Sequence, residues 1–376
     1  MPELEARELD IDSLPEAPAV FAVWAGDDGV PYLGKTSRLR RRLARLLRPP
    51  EGRSSRLNLA GVATRVEYHR TGSNFESSVG LYALARRHRP EDYRRFLKLR
   101  PPVFLKLNLD NPYPRCYLTH RLGRDRAVYY GPFRSRASAE HFENAFLDLF
   151  LIRRCTEEIV PDPAHPGCIY GEMGMCLRPC QAAATLEQYR AETGRVAEFL
   201  ATRGDSLVRQ IQTERDRASV ELEFESAARL HKKLEKAQEA LKLNDDLARD
   251  LDQLYGVVLQ RSVEPEAVEL WFLYQGYLQK RQRFHLAESG RPVSLDQRLR
   301  ETMAAVDFTR RSPRERAEHL ALLVRWYASS WRTGELLLFD GLDQVPYRRL
   351  VRAVARVAAV QTRESTSSGE TATPLQ

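Results

Sequence analysis

Three groups of residues carry side chains suited to chemistry. The first is Tyr32-Leu33-Gly34-Lys35, followed by Arg38, Arg41, Arg42 and Arg45. Capturing a phosphodiester needs cations on its phosphoryl oxygens, and hydrolysing it also needs a group that orients or deprotonates water. A tyrosine beside lysine and arginine is suited to that task, because a guanidinium can hold two phosphate oxygens at once. The second group is Cys155, Cys168, Cys176 and Cys180, crowded into 26 residues with the spacing C-x12-C-x7-C-x3-C and Pro179 just before the last. Four thiolates suit Zn²⁺ or an iron–sulfur cluster, and a reducing compartment favours metal over disulfides. His165 lacks zinc-finger spacing and reads as a loop residue, and Cys116, between Arg115 and Tyr117 in a strand-like stretch, reads as ordinary. The third group is a patterned segment over 205–243, in which Phe224, Ala227, Leu230, Leu234, Ala237 and Leu241 recur at helical spacing. The small Ala227-Ala228 pair there permits close helix approach.

The charge balance points the same way as the first group. The net charge is +8 and the isoelectric point near 9.3. From Lys35 to Arg100 there are 18 Lys and Arg against five Asp and Glu, an excess suited to a polyanion whose counterions basic side chains displace. No run of about 18 apolar residues exists, which excludes a spanning helix. The acidic start MPELEARELDID has no apolar signal core, so the expectation is a soluble, cytoplasmic protein of more than one domain.

The elements that must position these residues follow from periodicity. PAVFAVWAG and VPYLGK read as strands of a hairpin around a GDDG turn, and residues 36–48 as a helix with Leu39, Leu43, Leu46 and Leu47 on one face and arginines on the other. RVEYHRT is a third strand, and 74–88 a helix stopped by Pro90. RAVYYGPF reads as a strand, 137–150 as a helix carrying Phe142, Phe146 and Phe150, and 186–247 as polar and helical. Alternation over 254–287 predicts a β-meander, with helices at 311–331 and 345–359 and a disordered tail. The predicted fold class is α/β and α. Its units are a small α/β domain over 15–109, a cysteine region over 110–185, a helical region over 186–247, a β-meander with helices over 250–360, and a tail over 361–376.

Read together, Ala19-Val20-Phe21, Tyr32-Leu33-Gly34-Lys35 and GKTSRLRRRL resemble the GIY-YIG nuclease domain, in the version that opens UvrC. The resemblance implies that Tyr32 lies near the scissile phosphate, that Gly34 lets the backbone come close, and that Lys35 and Arg42 hold phosphate oxygens, with Arg38, Arg41 and Arg45 on the DNA. VYYGPFRSRASAEHFENAFLDLFLIRRC and the cysteines after it resemble the UvrC cysteine cluster, which implies a 4Fe–4S centre, with Zn²⁺ as the alternative. VELEFESAARLHKKLEKAQEAL resembles the UVR motif, a helical hairpin through which UvrC contacts UvrB. That implies a partner surface including Phe224, Ala227, Ala228 and Leu230. A chain with this front half, and too little length after it for the RNase H-like and helix–hairpin–helix parts of UvrC, resembles the short homologue Cho, which makes the 3′ incision.

The sequence departs from the family at the nuclease site. The first-strand tyrosine is Phe21, and the metal-binding glutamate, nine residues before the helix-ending proline, is Leu81. Leucine cannot bind Mg²⁺ or Mn²⁺, which take oxygen ligands. Glu76, five residues upstream of Leu81, points about 140° away around a helix. Asn108 is the only asparagine near the position the family uses after that proline. A second register, marked by Pro101, would put Asp92 at the acidic position. Asp340 in LLLFDGLDQ reads as a strand end. Two functions stay open: a metal-dependent endonuclease cutting 3′ of a lesion with UvrB, and a homologue that binds DNA and UvrB with impaired cutting.

Overall fold

A computed structural model describes residues 3–5, 9–26, 29–49, 56–287, 293–330 and 332–369. The architecture is mixed α/β, with three antiparallel sheets and helices packed between and over them. Among the described residues no helix is long and apolar enough to cross a membrane.

The first unit contains β1 (Glu3–Glu5), β2 (Ala19–Trp24), β3 (Tyr32–Thr36), α1 (Leu39–Leu47), β4 (Arg65–Arg70), α2 (Asn74–His88) and α3 (Tyr93–Phe96), with sheet order β1-β4-β2-β3. The central strand β2 is buried along its whole length because both its faces are covered. Phe21 and Val23 meet Leu39, Leu43 and Leu46 of α1, while Val20, Ala22 and Trp24 meet Tyr82 and Ala85 of α2. The expected β2–β3 hairpin forms; part of its GDDG turn, residues 27 and 28, lies outside the described residues. Helix α1 starts later than residue 36 because the Thr36 hydroxyl accepts the Arg38 N–H at 3.1 Å and turns the chain first. Helix α2 has the expected bounds, capped by the Ser73 hydroxyl on the Glu76 N–H and ending before Pro90. Glu3–Glu5, which reads in sequence as an acidic leader, pairs with β4.

The second unit contains β5 (Val103–Asn108), β6 (Cys116–Thr119), β7 (Ala127–Phe133), α4 (Arg136–Leu147), α5 (Ile169–Glu172), α6 (Leu186–Ala201), α7 (Asp205–Val220), α8 (Phe224–Lys242) and β8 (Arg249–Asp250). Its sheet order, β6-β5-β7-β8, groups the strands differently from the expected units. The first unit stops before residue 103, since β5 pairs with β6 and β7. The cysteine and helical regions are not separate bodies either, because Phe142, Phe146, Phe199, Leu234 and Ala237 share one core. Strand pairing across the chain decides both points, and no local pattern reports it.

The third unit contains β9 (Tyr255–Arg261), β10 (Ala267–Tyr274), β11 (Tyr277–Leu278), β12 (Gln282–His285), α9 (Leu295–Ala304), α10 (Pro313–Tyr327), β13 (Glu335–Phe339) and α11 (Tyr347–Gly369). The expected meander is present, extended by β13 on β9. Helix α9 has no counterpart among the expected elements; its only buried apolar side chains are Leu299 and Met303, too few to make a visible stripe. Helix α11 runs to Gly369, into the stretch that reads as a disordered tail, because a helix nucleated by a packed first half propagates cheaply. Residues 370–376 lie outside the described residues.

The three units meet in one apolar cluster. Phe75 of α2, Phe104 and Tyr129 of the second sheet, Trp271 of β10, and Leu320, Leu323 and Trp326 of α10 pack together. Gly72 makes the approach possible: a Cβ there would stand 2.2 Å from the Arg261 carbonyl oxygen. Beside this cluster α10 runs antiparallel to α2 and carries buried charge. Glu318 accepts from the Tyr82 and Tyr93 hydroxyls, each at 2.7 Å. Glu315 pairs with Arg86 at 2.8 Å and with Arg311 at 2.6 Å. The Tyr82 hydroxyl is pushed up from its ordinary pKa by burial and by the Glu318 bond, so it stays a donor.

His319 lies in the same interface, 4 % exposed. Its Nδ1 accepts the Leu278 N–H at 3.1 Å, which fits a neutral ring protonated on Nε2. Burial pushes its pKa down to about 4. A histidine that stays neutral when folded but takes a proton when unfolded stabilises the fold above pH ~6.5, and that stability is lost as pH falls toward 4. We expect unfolding free energy to fall by roughly 3 kcal/mol across that window. His319→Gln, which keeps an acceptor without titrating, should flatten this part of the curve in urea titrations at several pH values. An unchanged slope in the variant would remove His319 as the cause.

Candidate functional site

The first site group assembles where β3, α1 and α2 meet. Tyr32 opens β3, and its hydroxyl receives the Arg42 guanidinium at 2.6 Å from α1. Lys35, three residues along β3, donates to the Asn74 side-chain oxygen and the Ser78 hydroxyl, both at 2.9 Å. The Lys35 ammonium is held below its ordinary pKa, first by burial and then by the Arg325 guanidinium nearby. Asn74, Ser78 and Leu81 fall at i, i+4 and i+7 on α2, so they form one stripe facing this point. Among the described residues neither Lys35 nor Arg42 has a carboxylate partner, and their hydrogen bonds go to neutral oxygens.

The remaining residues expected on DNA separate. Arg38 at the N-cap of α1, and Arg41 and Arg45 on it, are exposed, and none of the three side chains has a carboxylate partner among the described residues. Arg40 and Arg48, by contrast, are used internally, on the Leu14 carbonyl and the Asp12 carboxylate. Gly34 has a packing reason of its own. It sits opposite Phe21 in the hairpin, and a Cβ there would lie 2.6 Å from the Phe21 ring.

The carboxylates considered from sequence are engaged elsewhere. Glu76 is 3 % exposed, accepts the Gly72 N–H at 2.7 Å and pairs with Arg281 of the third unit. It therefore faces away from Lys35, as the helical angle implies. Asp92 pairs with Arg89 at 2.6 Å. Asn108 ends β5 in the second sheet, where its side chain accepts the Asp110 N–H. Asp340 follows β13 and faces Arg203 and Arg249 at 3.7 and 3.8 Å.

The cysteine segment lies against α6. Leu151 N–H donates to Glu192, and Arg153 N–H to the Tyr189 hydroxyl. All four cysteines are free thiols. They approach one another closely enough that burial and the other thiols push the Cys176 and Cys180 groups up in pKa. The Arg178 N–H points at the Cys176 sulfur at 3.4 Å, and the Arg153 guanidinium lies 3.8 Å from the Cys155 sulfur. Among the described residues, no three His, Cys, Asp or Glu side chains converge closely enough to hold a metal ion. The donor set suits a soft metal. His165 is half-buried, its Nδ1 accepting the Gly167 N–H. Cys116 is buried in β6, and desolvation raises its pKa, as expected of a packing residue.

Helices α7 and α8 form the expected antiparallel hairpin. Leu234, Ala237 and Ala240 are buried at its base, and Leu230 is half-buried. Its tip is apolar and uncovered: Val220, Leu222 and Phe224 are 82 %, 69 % and 70 % exposed. Ala227 is half-buried and Ala228 exposed on the same turn. Sequence reading missed Asn74, Ser78 and Arg325. The first two were visible as an i, i+4 polar pair on α2, but Arg325 carries no local signal.

Residues 103–199 match the family model for the UvrC/Cho excinuclease, middle domain. The UvrABC system protein C of Methanothermobacter thermautotrophicus is 28 % identical over 288 residues, covering 75 % of this chain and 48 % of that protein. That of Moorella thermoacetica is 27 % identical over 282 residues, 75 % of this chain and 46 % of its own. That of Desulforudis audaxviator is 31 % identical over 233 residues, 61 % and 37 %. Across these stretches the chain is similar in sequence to UvrC-type proteins. It spans about half the length of the curated relatives it matches. No solved structure matches.

Proposed function

We propose that this chain acts in nucleotide-excision DNA repair as a UvrC-like subunit that holds the DNA backbone at its GIY-YIG-like unit, docks a UvrB-like protein through α7–α8, and cuts slowly or not at all. The observation that carries the reading is the pairing at the first site. Lys35 and Arg42 are cations bonded only to neutral oxygens, a state that a phosphate oxygen completes. The stripe of α2 that faces them ends in Leu81, and Glu76 is tied to Arg281. A divalent cation at that place would have no protein oxygen charge to hold it, so binding outlives turnover. The alternative, a working endonuclease making the 3′ incision, draws on the Tyr32–Arg42 bond, which would orient a water-activating hydroxyl.

Replacing Arg38, Arg42 and Arg45 by Ala should shrink the slope of log K against log salt by up to about 0.9 for each phosphate left unneutralised. In a strand-cleavage assay on lesion-containing duplex with UvrB and Mg²⁺ or Mn²⁺, wild type should cut slowly or not at all, and Leu81→Glu should cut faster. An unchanged salt slope would move the DNA surface elsewhere. Brisk cutting that is abolished by Glu76→Ala or Asp92→Ala would restore the endonuclease reading.

For the cysteine segment the reading is a 4Fe–4S cluster, with Zn²⁺ as the alternative, held by Cys155, Cys168, Cys176 and Cys180. The N–H groups aimed at Cys176 and Cys155 are the kind that stabilise thiolate ligands. Bound metal would order the loop between α4 and α6. Anaerobically purified protein should contain iron or zinc, and Cys168→Ser or Cys176→Ser should lose it and lower the melting temperature. Metal-free protein with the same melting temperature as the variants would refute the assignment.

The uncovered tip of α7–α8 is the docking element in this reading. Phe224 is the large side chain there that a partner would bury. Phe224→Ala should weaken capture of UvrB by roughly 2 kcal/mol or more. Failure of the intact chain to bind UvrB at all would remove the partner.

A further inference from the structure

We propose that Arg325, on α10 of the third unit, is a third phosphate-binding cation of the Tyr32–Lys35–Arg42 site, so that the DNA backbone is held by side chains from both ends of the chain. The inference rests on the phosphate-binding reading above and adds a residue that no part of that reading supplies.

The register between α10 and α2 carries it. Arg86 meets Glu315, Tyr82 meets Glu318, and Phe75 meets Trp326 with ring centroids 5.2 Å apart. The two helices therefore run antiparallel, and residue 325 falls level with Asn74–Ser78, the residues that hold the Lys35 ammonium. The guanidinium is fixed there by two carbonyls that follow α3, Leu97 at 3.4 Å and Lys98 at 2.8 Å. Both partners are neutral, and among the described residues Arg325 has no carboxylate partner. Other arginines differ: Arg311, just before α10, pairs with Glu315, and on α10 Arg314 pairs with Glu318 and Arg316 with Asp252.

Arg325 is also exposed, so its remaining N–H groups stay open to a ligand. Its positive charge reaches Lys35, whose proton it helps to loosen. Lys35 and Arg325, neither with a carboxylate partner among the described residues, repel one another, and an anion beside them relieves the repulsion. On this geometry Arg325 supplies charge at the level of Asn74 and Ser78, where the α2 stripe offers only neutral oxygens.

The test compares Arg325→Gln, Arg325→Lys, Lys35→Gln and Arg42→Gln for binding to a short DNA duplex over a series of salt concentrations, with melting temperatures measured alongside. Arg325→Gln should lower the salt slope by about 0.9 and weaken binding about tenfold at low salt, while Arg325→Lys keeps the slope. A purely structural Arg325, clamping the Leu97 and Lys98 carbonyls, would lower the melting temperature in both variants without changing the slope, which overturns the inference. If Lys35→Gln and Arg42→Gln lower the slope but Arg325→Gln does not, the inference falls and the phosphate site stands. If none of the three changes it, both fall. Should Arg325→Gln fail to fold, arginine modification by phenylglyoxal on the wild-type chain decides the question. Arg325 protected by DNA supports the proposal, and Arg325 modified equally with and without DNA, while Arg42 is protected, overturns it.

Discussion

The contact between α2 and α10 is the constraint on which the rest depends. It buries Glu318 under two tyrosine hydroxyls and Glu315 under two arginines, next to an apolar cluster that draws on all three units. Removing one partner of such a buried pair leaves a charge without solvent and costs about 3–5 kcal/mol. The contact is therefore specific as well as stabilising: only one register of the two helices pairs every buried charge. That register sets the tilt of α2, and α2 presents Asn74 and Ser78 to Lys35. The chemistry-bearing corner of the first unit is thus referred to a helix more than two hundred residues away in sequence.

The packing of α2 on the third unit also explains where Glu76 goes. Glu76 sits on the opposite side of α2 from the Lys35 stripe, pairing with Arg281, while Arg281 and Arg283 also neutralise the fully buried Glu269 of β10. Glu76 is drawn to the interface, and Lys35 and Arg42 are left at the site without a carboxylate partner among the described residues. A surface arginine with a carboxylate neighbour is largely satisfied, as Arg48 is by Asp12. Lys35, Arg42 and Arg325 bond only neutral oxygens, so their charge remains available to an anion. The groove between α2 and the third unit differs: its Arg86 and Arg311 are paired with Glu315 and its Arg281 with Glu76, beside Arg87 and Lys280.

The functional elements are also separated in their demands. The hairpin α7–α8 is rooted in the core of the second unit by Leu234 and Ala237 and leaves Phe224 uncovered at its far end. The cysteine loop leans on α6 through Glu192 and Tyr189 but has little core of its own, with Val160, Ile169 and Met173 exposed. Such a segment gains most from a cross-link that metal would provide.

Much of this was legible without the fold. The hairpin of Phe21 and Gly34, the leucine face of α1, the bounds of α2 and the antiparallel pair at 205–243 follow from period, capping and turn chemistry, which act over a few residues. The residue types of the site, Tyr32, Lys35 and Arg42, were equally plain, as was the apolar Leu81 on the stripe that faces them. What stayed hidden was everything made by pairing across the chain. The β5 strand joined the second sheet and not the first unit, β1 formed on β4, and α9 packed with too few apolar residues to announce itself. Arg325 reads in sequence as one more solvated arginine. Sequence alone determined which side chains each short element offers, because local geometry repeats every 3.6 or 2 residues. Only the tertiary structure decided which charges are neutralised and which are left open, because that depends on partners brought together from distant parts of the chain.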